Sequence, residues 1–186
     1  MKRLLIMSTM MILASGLTFG QIAGSSPDLS AAEGNTETCV FCHTPHGGAP
    51  AVPLWNHTLS GNTFTAYDSP TIDATDNADW TGAAGTISAL CMSCHDGSVG
   101  LGALINESDA GGTPTNSATT MGAVVANLGT DLTNDHPVAF TYDDTLWGAD
   151  ADLADPSTLT GAVGLFVATS DQVECASGHD PPDNTN

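Results

Sequence analysis

Cys91-Met92-Ser93-Cys94-His95 is the stretch on which the reading of this chain turns. The same arrangement recurs at Cys39-Val40-Phe41-Cys42-His43 and, altered, at Cys175-Ala176-Ser177-Gly178-His179. The pattern C-x-x-C-H is the sequence signal for covalent attachment of a c-type haem. Two cysteines three positions apart each supply a thioether to one vinyl group of a porphyrin, and the adjacent histidine becomes the proximal iron ligand. Two other readings use the same cysteines. Two C-x-x-C pairs also suit a four-thiolate zinc site, and an exported chain can close such pairs as disulfides or keep them as redox thiols. Neither alternative asks for a histidine directly after the second cysteine, yet both intact pairs have one.

Outward from these motifs, the remaining histidines are candidates for the sixth position on iron. After the first motif, Thr44-Pro45-His46-Gly47-Gly48 combines a stiff proline with permissive glycines, so a tight reversal can turn His46 toward a different iron; an exposed turn histidine is the plainer reading. In Leu54-Trp55-Asn56-His57, Trp55 offers a flat face to cover a porphyrin, and His57 lies far enough from His43 for the chain to pass around the ring as a distal ligand. A surface histidine is the alternative there too. Pro137 restricts the backbone of His136, which suits a distal ligand held at a defined angle.

The third copy leaves the haem count open. Cys175 retains one thioether and His179 one iron ligand, while Gly178 removes the second thioether. His43, His95 and His179 as proximal ligands leave His46, His57 and His136, one for each of three irons. A vestigial segment and two haems is the opposing reading.

Between the motifs the chain offers little regular patterning. Residues 25–38 read as a loosely turning lead-in and 60–79 as irregular. Trp80 to Leu90 is the best helical segment, with Asp79 as N-cap and apolar Ala83, Ala84, Ile87 and Leu90 recurring near a helical period. It is expected to deliver Cys91 and Cys94 at its end. Met121 to Leu128 is expected to form a short helix or strand, Ala139 to Tyr142 an extended piece, and Gly161 to Ala168 a buried strand or short helix. The Gly-, Thr- and Asn-rich run within 106–120 is expected to be a mobile insert, and is where two small lobes would divide.

Composition and charge set further bounds. Met1-Lys2-Arg3 and the apolar run Leu4 to Ala14 read as an export leader covering residues 1–23, too short for a confident membrane span. Residues 24–186 then form one domain or two small lobes, periplasmic or extracellular. Three Trp, two Tyr and five Phe against 20 Gly and 10 Pro leave little for a self-sufficient core. Haem faces would supply the missing apolar surface, so the haem-free chain is expected to be unfolded or molten.

The formal net charge is −19, and the only two Lys or Arg residues are Lys2 and Arg3. Nucleic acid is excluded as a partner, and an anionic membrane surface is disfavoured. A cationic partner surface fits. Asp143, Asp144, Asp150, Asp152 and Asp155 form either a solvated acidic face or a calcium site, without the twelve-residue EF-hand pattern.

Four phrases carry a family resemblance: Cys39-Val-Phe-Cys42-His43-Thr-Pro-His46-Gly, Leu54-Trp55-Asn56-His57, Leu90-Cys91-Met-Ser-Cys94-His95-Asp-Gly, and Asn134-Asp135-His136-Pro137-Val138. The chain resembles secreted multihaem c-type cytochromes of metal-reducing and sulfate-reducing bacteria, including relatives that form extracellular filaments. The resemblance implies a mostly irregular fold with a few short helices and little sheet, its core built around haems. It implies distal-ligand roles for His57 and His136, with His46 reaching a neighbouring haem. It also implies electron transfer to other redox proteins, or toward an extracellular acceptor, rather than catalysis, with self-association into haem chains as a further trait. The departure is Cys175-Ala-Ser-Gly178-His179-Asp-Pro-Pro182, where the family pattern has cysteine for Gly178 and histidine for Pro182. Two rivals stand beside this reading: a small haem reductase or peroxidase with an open iron position, and a zinc-stabilised secreted binding module.

Overall fold

Regular structure is confined to four two-residue strands, three short α-helices and two 3-10 turns among the described residues of the computed structural model, which are 22–49, 54–82, 86–107, 118–159, 163–166 and 171–179. The mostly irregular architecture expected from the glycine- and turn-rich sequence is therefore observed. The expected leader, up to residue 21, lies outside the described residues, as does 108–117, where a division into lobes was expected. No helix among the described residues is long and apolar enough to cross a membrane.

The strands form two antiparallel pairs. β1 (Thr63–Phe64) pairs with β2 (Trp80–Thr81), aligning Phe64 with Trp80. β3 (Phe140–Thr141) pairs with β4 (Gln172–Val173), aligning Phe140 with Val173. Helix α1 (Ile87–His95) carries the whole second motif; α2 (Asp144–Ala149) lies in the acidic stretch; α3 (Cys175–Gly178) carries most of the third motif. A 3-10 turn at Thr38–Phe41 opens the first motif.

The helix expected from Trp80 starts later than its apolar spacing suggested. Trp80 is drawn into β2, where its ring packs 4.5 Å from that of Phe64. The Asp79 carboxylate accepts from the Ala66 N–H at 3.2 Å instead of capping a helix. Thr86 takes the capping role, its hydroxyl accepting from the Ala89 N–H at 3.2 Å. Residues 121–128 form neither helix nor strand; Asn127 ties the segment into turns through Met121 O and Gly122 O. The acidic stretch is more ordered than a solvated loop. Asp143 accepts from Thr145 N and Leu146 N and starts α2, and Asp155 starts a second 3-10 turn at Pro156–Thr158. These carboxylates serve as caps, each turned to its own backbone.

The core is thin. Phe64, Met92, Leu132 and Val138 form one buried cluster, with Trp80 and Cys175 packed against it. Met92 lies on the buried side of α1 with Ser88, Ala89 and Ser93, whereas Ile87, Leu90, Cys91 and Cys94 are only half-buried. The helix thus leaves its cysteine-bearing face incompletely covered.

Two predictions follow from these contacts. Phe64→Ala removes the largest member of the cluster and should cost about 3–5 kcal/mol, read as a lowered urea midpoint with the slope retained. The Leu146 N–H chiefly, then that of Thr145, holds the Asp143 carboxyl below its ordinary range. Its contribution is present above the unfolded pKa and is lost as pH falls through the lower folded one. Asp143→Ala should therefore lower the melting temperature at neutral pH, and that deficit should vanish in strong acid.

Candidate functional site

The first motif is held by backbone pairing rather than by a long helix. Cys39 and His43 are exposed, Cys42 is half-buried, and burial raises the Cys42 thiol pKa. Thr44 N donates to Leu54 O and Asn56 N to Cys42 O, which clips the motif to the Leu54-Trp55-Asn56-His57 segment. His43 meets Trp55 edge-on at 6.3 Å, and the Trp55 indole N–H is buried with no acceptor among the described residues. His46 is exposed at the turn, where Gly47 has a φ of +68° and the Asn106 amide donates to the carbonyls of both residues.

Asn56 is the hidden organiser of this region. It is fully buried; its amide donates to Val40 O and Asn106 O at 2.7 and 2.8 Å, and its side-chain oxygen accepts from Asn106 N at 2.8 Å. An asparagine between a tryptophan and a histidine carries no pattern that would reveal this in sequence.

In the second motif, α1 sets Cys91 and Cys94 one turn apart on one face, and His95 closes the helix. The His95 Nδ1 lies 2.8 Å from Ala126 O. A carbonyl only accepts, so Nδ1 carries the proton and Nε2 keeps its lone pair, the tautomer a metal-ligating histidine adopts.

His57 is wholly buried against this motif, with Cys94 Sγ at 3.7 Å from its Nε2 and 3.9 Å from its Nδ1. Both ring nitrogens face carbonyls, Nδ1 toward Thr58 O at 3.1 Å and Nε2 toward Gly100 O at 3.0 Å. Burial, outweighing these carbonyls, lowers the His57 pKa, so the ring is neutral and has one proton for two acceptors. The nitrogen without the proton has the Cys94 S–H as its donor within reach, so the ring is held by Thr58 O, Gly100 O and the thiol together. Cys94 is pushed up to about 12, first by burial and then by the neighbouring Cys42 sulfur.

The third motif meets the second directly. The Glu174 carboxylate accepts from Ser88 N at 3.0 Å and from the Ser88 hydroxyl, and Cys175 N donates to Ser88 Oγ at 3.0 Å. Ser88 lies one helical turn before Cys91, so Cys175 comes against the Cys91 thiol, which shares its hydrogen with it. That hydrogen bond, ahead of burial, raises the Cys91 pKa; the same contact, against burial, lowers that of Cys175.

Beside α3 opens a cavity of about 380 Å³ walled by apolar Leu159, Val163, Leu165 and Val173, with His136, Glu174 and Cys175 also on its lining. The Glu174 Oε1 is buried without a hydrogen-bond donor among the described residues. The rings of His136 and His179 lie 6.1 Å apart with planes within 25°. His136 Nδ1 faces Pro137 O at 3.3 Å, which leaves its Nε2 for a ligand.

The exposed large apolar side chains concentrate around these three places. Leu54 and Ile105 sit on segments bonded to the first motif, Val124, Val125 and Leu128 flank the carbonyl that orients His95, and Val163 lines the third cavity; Trp147 on α2 is the exception. Isolated exposed apolar residues are ordinary, but contiguous groups mark surfaces that something covers. The Trp55 N–H, without an acceptor among the described residues, fits a large apolar ligand that carries acceptor groups.

Among the described residues no three His, Cys, Asp or Glu side chains converge to hold a bare metal ion. A haem iron asks the chain for only two axial ligands, on opposite faces. Neither protein-family models nor curated proteins provide a match to the chain.

Asn56→Ala would strand three hydrogen-bond partners, Val40 O in a buried bond and Asn106 O and N in part-buried ones, so it should lower stability by about 2–3 kcal/mol in urea unfolding. Asn56→Asp should fare no better, because an ionised carboxylate cannot donate to the Val40 and Asn106 carbonyls.

Proposed function

We propose that this chain is an exported electron carrier that holds c-type haems covalently at Cys39, Cys42 and His43 and at Cys91, Cys94 and His95. The observation that carries the proposal is the exact C-x-x-C-H spacing of both intact motifs, each near segments that leave large apolar side chains exposed, Leu54 and Ile105 by the first and Val124, Val125 and Leu128 by the second. When bound, haem iron supplies a one-electron couple, and the chain sets its ligation, exposure and electrostatic surroundings.

The residues divide the work. Cys91 and Cys94 anchor one porphyrin through thioethers, and His95 presents Nε2 because Ala126 O holds its other nitrogen. Cys39, Cys42 and His43 do the same at the first site, where the free Trp55 N–H offers a donor to a propionate. His57, buried against Cys94, is the candidate distal ligand nearest the second motif, while His46, exposed on the turn after the first motif, is placed to reach a neighbouring haem. Ligation by two histidines closes both faces of the iron, which favours electron transfer over substrate chemistry.

The packing of α3 on α1, through Glu174 and Cys175 N on Ser88, sets the altered motif beside the second and suits short hops between redox groups held there. The acidic surface favours the oxidised haem and a cationic redox partner, with salt weakening both effects.

Mass spectrometry of the denatured secreted protein tests the proposal. Haem should remain on the peptides containing Cys39–Cys42 and Cys91–Cys94, and the resting protein should show a low-spin, bis-histidine spectrum. A high-spin resting spectrum would favour the small reductase or peroxidase. Stoichiometric zinc with no Soret band would favour the secreted binding module and end the haem reading.

A further inference from the structure

We infer that the cavity beside α3 is a binding site for a small organic ammonium ion, its apolar body held by Leu159, Val163, Leu165 and Val173 and its charge met by the Glu174 carboxylate. The cavity lies apart from the two intact motifs, so the inference does not rest on haem being held there.

Glu174 is the first support. It is 1% exposed and lines the cavity. Its Oε2 accepts both hydrogen bonds from Ser88, while Oε1 is buried and meets no donor among the described residues. A buried carboxylate oxygen in that state is costly unless an N–H or a cation reaches it. The chain has little to supply one. Its only Lys and Arg residues are Lys2 and Arg3, and His136, on the same lining, turns Nδ1 toward Pro137 O and gives Oε1 no hydrogen bond. A ligand from outside the chain is then the source of positive charge.

The make-up of the cavity is the second support. Its volume of about 380 Å³ lies in the range of small-molecule sites. A lysine reaching in from a partner protein is a single flexible stem and would leave most of that space unfilled; a free molecule with a broader apolar body fills it. Tyr142 also lines the cavity, and its hydroxyl donates to Ala154 O at 2.7 Å, which leaves the ring as its contribution to the wall. Aromatic rings attract ammonium groups.

Backbone pairing sets these walls without help from a ligand. Tyr142 N donates to Asp171 O at 2.6 Å, and Phe166 and Gln172 exchange bonds at 2.9 and 3.1 Å, which seats Leu165 beside β4. Ser88 holds Glu174 from the other side. The acceptor is therefore in place before a ligand arrives, and that lowers the ordering cost of binding.

Calorimetric titration of the full secreted chain with phenethylammonium tests the site, with phenethyl alcohol as the uncharged control. Wild type should bind one phenethylammonium saturably, with little loss in added salt, because a buried pair is poorly screened. The alcohol should bind about tenfold more weakly, the difference between a charge-assisted and a neutral hydrogen bond. Glu174→Gln keeps an oxygen for Ser88 and sets an amide donor in place of Oε1, so it should lower the affinity for phenethylammonium by about tenfold as well. Val163→Trp puts a large side chain on the cavity wall away from the Ser88 junction; it should abolish binding and leave the melting temperature unchanged. Should Glu174→Gln fail to fold, the alcohol and Val163→Trp decide the matter between them.

Unsaturable binding that salt abolishes would assign the cation to the acidic surface. Equal affinity for the alcohol would deny the charge a role, full binding by Val163→Trp would place the ligand elsewhere, and a Soret shift on titration would put the amine on iron. Each of these results would overturn the inference and leave the haem proposal standing.

Discussion

The buried carboxylate of Glu174 accepts two hydrogen bonds from Ser88, 86 positions earlier in the chain, and most of the spatial order around the motifs depends on this junction. With Cys175 N also bound to Ser88 Oγ, it locks α3 onto α1. The serine and the acid are both buried, so each depends on the other for hydrogen bonding; an unmet polar group there would cost about 1–3 kcal/mol. From this junction, β4 runs back along β3 and carries the His136 segment toward His179. The same junction sets Cys175 against Cys91. Two motifs distant in sequence thus become neighbours through one polar contact.

Such a contact matters more here than in a protein with a large apolar interior. Four residues form the buried cluster, and α1 turns Ser88 and Ser93 inward while leaving Leu90 and Ile87 half-covered. Ala89 and Met92 share the inward side, so the helix buries apolar groups on one face and leaves others half-covered on the next. The half-covered face is coherent if it has a partner outside the polypeptide, and a porphyrin is flat, apolar and large enough to be one. The polar hubs, Asn56 at the first motif and Glu174 between the second and third, then hold the backbone in place, while the bound group would supply the apolar contact that the sequence lacks.

Sequence patterns revealed much of the chemistry and little of the geometry. The irregular fold was legible because glycine, proline and turn residues leave few segments with a sustained period. The helix before Cys91 was legible only in part: Ala83, Ala84, Ile87 and Leu90 imitate a helical stripe, yet Trp80 gains more by packing on Phe64, and Thr86 is the cap that the backbone uses. Asn56, Ser88 and Glu174 were not legible as organisers. A polar residue's burial depends on partners that lie 16 to 86 positions away.

By itself the sequence determined the attachment pattern on which the proposal rests, because the spacing of Cys91, Cys94 and His95, like that of Cys39, Cys42 and His43, is local and survives any arrangement of the rest. It also determined the acidity of the chain and the replacement of a motif cysteine by Gly178. Only the tertiary structure decided which groups meet: His57 against Cys94, Cys175 against Cys91, and His136 opposite His179. Those pairings rest on hydrogen bonds and strand registers between remote segments, and a distance across the fold is not a property of any single stretch.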